Sequence, residues 1–303
     1  MLKLRIHLVL SVIVSVTIHC HSQAPERVKA WFPAGTTFHQ NIPYAGDTLK
    51  KHLLDIYLPA NASSDTPLVI WVHGGAWRVN DKYADMGYMK NTVRTFIEKG
   101  YALASIDYRH STTAAFPAQI QDCYAAIEFL YANSTKYKLN KDKFALIGFS
   151  AGGHLASLVA LALNNNVSDF YPANKKPSFK IKLVLDFYGP SDFLSLVGPA
   201  DPNITTDPVS TLLGASPLKR PDLSKRASPV TYVDKNDPPF FIVHGEKDND
   251  VPYQQSVLLQ SYLNLAKVKN ELTVVKDAPH YGEMFDVEDL REKLFAFLEV
   301  NMK

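Results

Sequence analysis

Residues 144–157 read Phe144-Ala-Leu-Ile-Gly-Phe-Ser-Ala-Gly-Gly-His-Leu-Ala-Ser157: an apolar run, a Gly-Phe-Ser-Ala-Gly turn, and the start of a stretch rich in alanine and leucine. A short apolar run bounded by glycine fits a strand buried on both faces, and the residues after it are helix formers through Leu163. Gly148-Phe149-Ser150-Ala151-Gly152 therefore occupies a strand-to-helix turn, the setting in which the pattern G-x-S-x-G has chemical meaning. A serine in such a turn has strained backbone angles, and the flanking glycines stand where Cβ atoms would collide with the adjoining strand and helix. The strain lifts the hydroxyl above the sheet, where the Ala151 N–H and the helix N-terminus face developing negative charge.

Outward from this turn the chain alternates strands with helices. Apolar, β-rich runs occur at Leu53 to Leu58, Leu68 to His73, Ala102 to Tyr108, Phe144 to Phe149, Ile181 to Tyr188, Phe240 to His244 and Glu271 to Lys276. Helical patterns lie between most of them, at Met86 to Lys99, Pro117 to Tyr131, Gly153 to Leu163, Tyr253 to Leu265 and Val287 to Val300. Alternation of this kind predicts an α/β fold: a mainly parallel sheet covered by helices on both faces, with ligands at the carboxyl ends of the strands. Residues 190–239 break the rhythm and hold nine of the nineteen prolines, which reads as a lid-like insertion. No repeat, low-complexity tract or linker divides the chain, so residues 23–303 read as a single domain.

Charge excludes several functions. The chain has 32 Lys and Arg against 30 Asp and Glu, and Lys3 and Arg5 lie in a leading segment that carries no acid. The remainder is balanced, which leaves no electrostatic footprint for nucleic acid or anionic lipid. After Lys3 and Arg5 come the eleven apolar or hydroxyl residues Leu8 to Ile18 and then Cys20-His21-Ser22-Gln23-Ala24. This reads as a secretory signal peptide over residues 1–22, with cleavage after Ser22 or alternatively after Ala24. The run is well short of the roughly 20 residues that span a bilayer, so no stable membrane insertion is expected. The expected destination is secreted or periplasmic. Cys123 is then the single remaining cysteine and reads as a packed helix residue. No feature of the sequence sets the oligomeric state.

A serine nucleophile needs donors for its oxyanion, a base and an orienting acid. His73-Gly74-Gly75-Ala76-Trp77 follows a strand at the place an oxyanion loop requires, and each fixed N–H donor there stabilises the transition state by about 3 kcal/mol. Of ten histidines, His7, His19 and His21 leave with the leading segment, while His39, His52, His73, His110 and His154 read as packing or supporting residues. With the chain order Ser, acid, His, the one histidine after His244 is His280, on the loop between the last strand and last helix. The acid should follow the strand Phe240 to His244, where Asp248 and Asp250 both stand; Asp192 reads as a turn or cap residue. Spacing alone does not separate Asp248 from Asp250. No H-E-x-x-H, zinc-type cysteine pair, phosphate loop or dinucleotide glycine pattern is present, so no cofactor or metal is expected.

From about His52 onward the chain resembles the α/β-hydrolase superfamily, especially the small secreted acetyl-esterase and feruloyl-esterase-like carboxylesterases. The resemblance rests on His73-Gly-Gly-Ala-Trp77, Asp107-Tyr-Arg109, Gly148-Phe-Ser-Ala-Gly152, His244-Gly-x-x-Asp248-x-x-Val-Pro252 and Pro279-His280. It implies an α/β-hydrolase fold with a sheet of about eight strands, and a triad of Ser150, Asp248 and His280. It also implies oxyanion donors at Gly75, Ala76 and Ala151, with Trp77 beside the substrate. The implied activity is hydrolysis of carboxylic esters through an acyl-serine, on acetyl or feruloyl esters of plant carbohydrate or similar small esters. His-Gly-Gly-x-Trp is also similar to the arylformamidase loop, which makes an amidase the competing expectation; a non-catalytic binding protein on the same fold is the remote one. Ala76 stands where lipase-like relatives often have a third glycine, a departure that argues against bulky tertiary-alcohol esters.

Overall fold

The computed structural model describes residues 26–196 and 207–303. The leading segment with both cleavage positions, and part of the proline-rich insertion, lie outside the described residues. The strands are β1 (Thr37–Pro43), β2 (Leu53–Leu58), β3 (Thr66–Val72), β4 (Ala102–Ile106), β5 (Leu139–Phe149), β6 (Leu183–Phe187), β7 (Phe240–Gly245) and β8 (Asn270–Val275). They form one eight-stranded sheet in the order β1-β2-β4-β3-β5-β6-β7-β8. β2 runs antiparallel to both β1 and β4, and all pairings from β4 to β8 are parallel. This is the α/β-hydrolase architecture.

The helices are α1 (Glu26–Lys29), α2 (Lys90–Glu98), α3 (Ala118–Ala132), α4 (Ala151–Ala162), α5 (Phe193–Leu196), α6 (Pro208–Leu213), α7 (Pro221–Ala227), α8 (Gln254–Leu265) and α9 (Glu288–Asn301). The period of two along each central strand divides its side chains between two cores. Leu68, Ile70, Val72, Phe144, Leu146 and Val184 pack beneath α3, α4 and α8. Val69, Trp71, Ala145, Ile147, Leu183 and Leu185 pack against α2 and α9. Burial on both faces explains why these strands read as unbroken apolar runs.

Three features differ from the sequence expectation. β1, with its mixed Thr-Phe-His-Gln-Asn pattern, is an edge strand with a single residue, Asn41, buried, so no clean alternation marks it. Helix α2 starts at Lys90 rather than Met86 because Met86 and Met89 pack in a turn before it. The described part of the insertion is not featureless: it folds into α5, α6 and α7.

The loop after β8 is locked to α2 from a distance of almost 200 residues in sequence. Asp286 accepts from Asn91 N at 2.8 Å, Thr92 N at 2.9 Å and Thr92 Oγ1 at 2.7 Å, while the helix's own N-cap residue Met89 contributes no side-chain bond. A tertiary contact thus caps orphan N–H groups of the first turn and suits the positive end of the helix dipole. Asp286→Ala is expected to cost about 2 kcal/mol, a fall in melting temperature of about 3–4 °C in a protein of this size. A thermal melt unchanged within about 1 °C, against that expectation, would contradict the capping role.

Candidate active site

β5 ends at Phe149 and α4 begins at Ala151, leaving Ser150 alone at the turn with φ 53° and ψ −118°. This is a costly conformation for a residue with a side chain, of order 1–3 kcal/mol, and it persists only where the surroundings enforce it. Ser150 N donates to Phe187 O at 2.9 Å, tying the turn to the neighbouring strand. A Cβ at Gly148 would lie 2.2 Å from Gly152 O, and one at Gly152 would lie 2.0 Å from Val72 O. Both glycines are therefore required by close backbone approach. The result presents Ser150 Oγ at the N-terminus of a buried helix, above the carboxyl ends of β5 and β3.

His280 Nε2 lies 2.8 Å from Ser150 Oγ, and His280 Nδ1 lies 2.6 Å from Asp248 Oδ2. The side chain of Asp248 is fully buried. Burial alone would raise its carboxyl, but hydrogen bonds from His244 and His280 overcome that and hold it well below the usual carboxylate range. Its other oxygen accepts from Asp250 N at 2.9 Å and Val251 N at 2.8 Å. The two carboxylates that spacing left open thus differ sharply: Asp248 turns inward to both histidines, while Asp250 contributes its backbone N–H and leaves its side chain exposed. Asp192 accepts from Ser195 N and Leu194 N at the start of α5, a capping geometry.

The loop after β3 runs through Gly75, Ala76 and Trp77 with φ of 118°, 52° and 57°. Gly74 N is taken by Asp85 Oδ2 at 2.7 Å, so it is not free to bind an oxyanion. The N–H groups of Gly75 and Ala76 have no hydrogen-bond partner among the described residues, and both residues line the same cavity as Ser150. Ala151 N opens α4 immediately after the serine. The far side of the loop is held by charge: Lys51 Nζ donates to Asn80 O at 2.6 Å and to Asp107 Oδ1 at 3.0 Å, and Asp107 also receives Lys82 N. Tyr108 OH donates to His73 O, and Arg109 pairs with Asp122. Asp107-Tyr-Arg109 is thus a scaffold for the loop.

Trp77, expected beside the substrate, lines the same cavity as Ser150 but is only 3% exposed. Its Nε1–H donates to His154 Nδ1 at 3.1 Å, and His154 Nε2–H reaches Ala227 O at 2.8 Å at the end of α7. Burial pushes the His154 imidazole down to about 4, so it stays neutral and can accept from the indole. His154 also stacks on Phe193 of α5 at 4.8 Å. One neutral ring therefore joins the loop after β3, helix α4 and the insertion.

Sequence reasoning missed a second array. Asp85, half-buried, accepts from Gly74 N and, at 2.7 Å, from Tyr88 OH; Tyr88 OH lies 2.7 Å from Tyr188 OH; and the Tyr188 ring is 4.9 Å from that of His280. Burial raises the Asp85 carboxyl while the bonds from Gly74 and Tyr88 oppose that rise. The array spans from the loop after β3 to His280 through residues far apart in sequence, and no local motif announces it. Cys123, in contrast, is buried within α3 with its thiol pushed up by burial.

These groups surround a cavity of about 990 Å³ lined by Ser150, His280, Asp85, Tyr188, Val209 and Leu218 among others. A buried carboxylate, an imidazole and a hydroxyl in hydrogen-bonded series can move a proton off the serine as it attacks a carbonyl. Exchanging the orienting carboxylate for an amide keeps shape but favours the wrong imidazole tautomer. Asp248→Asn is therefore expected to lower kcat on a small activated ester on the order of ten-thousand-fold. Asp250→Asn should cost about tenfold or less. Steady-state kinetics giving the reverse order would contradict the assignment of Asp248.

The BD-FAE family model matches residues 54–263. Esterase LipQ of Mycobacterium tuberculosis (strain ATCC 25618 / H37Rv) is 32% identical over 220 residues, 71% of this chain and 50% of that protein. From the same organism, the probable carboxylic ester hydrolase LipM is 30% identical over 227 residues, 73% of this chain and 50% of that one. The chain thus spans about half the length of the curated relatives it matches. Among solved structures, a truncated form of a carbohydrate esterase from gut microbiota superposes with a TM-score of 0.77 at 31% identity, over 88% of this chain and 96% of that chain. Esterase B from Lactobacillus Rhamnosis shares the fold, with a TM-score of 0.73 at 23% identity over 91% of this chain and 89% of that one. An eight-stranded sheet with a serine at its β5–α4 turn and a family match across most of the chain lead to one conclusion: this protein belongs to the BD-FAE family of α/β-hydrolase proteins.

Proposed function

We propose that the chain is a serine esterase that hydrolyses carboxylic esters through an acyl-serine intermediate, with Ser150 as nucleophile, His280 as base and acid, and Asp248 as its orienting carboxylate. The observation that carries this reading is the unbroken series from Ser150 Oγ through His280 to buried Asp248, opening onto a cavity. His280 Nε2 removes the serine proton as Oγ bonds to the ester carbonyl carbon. Negative charge collects on the carbonyl oxygen, facing the N–H groups of Gly75, Ala76 and Ala151. Collapse breaks the carbon–oxygen bond to the alcohol, which leaves with the proton from His280; water then repeats the sequence and releases the acid. Every proton in this scheme passes through His280.

Acetyl or feruloyl esters on carbohydrate, or similar small esters, are the proposed substrates. The carbohydrate esterase relative supports the class. We further propose export, on the strength of the leading segment, with a mature chain beginning at Gln23 or Pro25.

Ser150→Ala is expected to abolish turnover of p-nitrophenyl acetate, acetylated xylan and methyl ferulate while leaving the circular dichroism spectrum unchanged. The residual rate should not exceed the enzyme-free rate by more than about ten-thousandfold, the upper end of what oxyanion donors and binding alone leave. Turnover of N-formylkynurenine exceeding that of every ester in the wild-type protein would instead favour an amidase.

A further inference from the structure

A closed ring of contacts starts and ends at Ser150. His280 Nε2 lies 2.8 Å from Ser150 Oγ, and the His280 ring packs against that of Tyr188 at 4.9 Å. Tyr188 OH lies 2.7 Å from Tyr88 OH, which donates to Asp85 Oδ1 at 2.7 Å, and Asp85 Oδ2 accepts from Gly74 N at 2.7 Å. Gly74 completes the circuit: a Cβ added there would stand 3.4 Å from Asp85 Oδ2 and 3.5 Å from Ser150 Cβ, so its backbone lies between the carboxylate and the serine. We infer that Asp85, Tyr88 and Tyr188 are positioning residues, a hydrogen-bonded strap that fixes the base and the oxyanion donors relative to one another so that both bear on one carbonyl. The inference rests on the serine-esterase reading above and adds to it the residues that hold its two halves in register.

The need for a strap follows from the topology. His280 stands on the loop after β8 and the donors on the loop after β3, with β5, β6 and β7 between those two strands in the sheet. A misplacement of about 1 Å between groups that address one carbonyl can cost on the order of a hundredfold in rate. At one end of the strap the His73–Gly74 peptide is clamped on both sides, Gly74 N by Asp85 and His73 O by Tyr108 OH at 2.9 Å. The next carbonyl, Gly74 O, is 2.7 Å from His73 Nδ1, and across a trans peptide the Gly75 N–H points the opposite way. At the other end Tyr188 leaves β6 with φ 46°, a conformation rare for a bulky residue, and its N–H is tied to Val243 O at 2.7 Å. Its ring meets both His280 and, at 4.8 Å, Phe285 of the same loop.

Asp85 sets the direction of the strap. An ionised carboxylate only accepts, so Tyr88 gives it a hydrogen and Tyr188 gives one to Tyr88. Hydrogen bonds that end on a charge are the strong ones. Asp85 itself takes φ 70°, a further left-handed residue held in place at this site. A pair of phenylalanines would fill the same space; the joined hydroxyls and the carboxylate serve no purpose in packing alone.

The test measures kcat and KM on p-nitrophenyl acetate for Tyr88→Phe, Tyr188→Phe, their double variant, Asp85→Ala and Asp85→Asn, each on protein whose circular dichroism matches wild type. Tyr124→Phe is the comparison: Tyr124 is buried and its hydroxyl donates to Val159 O at 2.9 Å, outside the strap. Tyr88→Phe and Tyr188→Phe should each lower kcat about tenfold and change KM less than about twofold, as a lost hydrogen bond acting on geometry rather than on binding would give. The double variant should fall no more than about twofold further, because the strap is already cut. Asp85→Ala should also lose about tenfold, whereas the amide of Asp85→Asn can accept from Gly74 N–H and donate to Tyr88 with both hydroxyls reversed, and should recover all but about threefold. Losses that multiply in the double variant, or kcat within about twofold of wild type in both single variants, overturn the strap, since joined residues act as a unit. A loss in Tyr124→Phe equal to theirs overturns it in favour of general loosening. Asp85→Asn falling as far as Asp85→Ala overturns positioning by hydrogen bonds in favour of a charge effect on His280. Failure of the wild-type protein to hydrolyse the ester overturns the esterase reading, and the role of the strap with it.

Discussion

The left-handed backbone of Ser150 is the constraint on which the rest of the site depends. An ordinary residue between β5 and α4 would continue the strand or enter the helix, and its side chain would be lost in the core. At φ 53° the hydroxyl is driven out above the sheet, and the conformation is held from three directions. Ser150 N is bonded to Phe187 O, Gly148 lies against Gly152, and Gly152 lies against the end of β3. The contact between Gly152 and Val72 also sets how far the loop after β3 stands from the serine, because that loop begins at the next residue.

Everything else at the site can be understood as fixing partners relative to that hydroxyl. β7 and β8, parallel to β5 on one side of the sheet, deliver Asp248 and His280 on adjacent loops. β3, on the other side, delivers Gly75 and Ala76. Loops that must be accurate are tied down by buried polar groups rather than by length: Asp286 fastens the His280 loop to α2, Asp85 fastens Gly74, and His154 fastens Trp77. Asp286 and His154 are buried and Asp85 is half-buried, each with its hydrogen-bonding capacity used, which is the condition under which a buried polar group orders a structure instead of weakening it.

The reading of the sequence succeeded where the physics is local. The central strands are apolar on both faces because both are covered, and the turn at Ser150 carries its glycines within two residues, so the strand, the turn and the serine it presents are legible together. His280 followed from chain order. Less was legible where the determining partner is remote. Asp85 contacts Gly74, eleven residues away, and Tyr88 meets Tyr188 across 100 residues, with no spacing rule to announce either. Asp248 and Asp250 are equivalent as a pattern; they separate only because the backbone N–H groups of Asp250 and Val251 curl back onto one carboxylate. β1 was missed because an edge strand with one buried residue has no alternation to show.

The central claim is that the Ser150 hydroxyl becomes covalently bound to the acyl group during turnover. Rapid acid quenching of the protein mixed with excess p-nitrophenyl acetate, followed by proteolysis and peptide mass spectrometry, reads this directly. The account predicts an acetyl group on the peptide containing Ser150, appearing within the first turnover and absent from Asp248→Asn protein quenched at the same time. An acetyl group found reproducibly on another residue, or hydrolysis proceeding at full rate with no acylated peptide even under conditions that trap the intermediate, would contradict it.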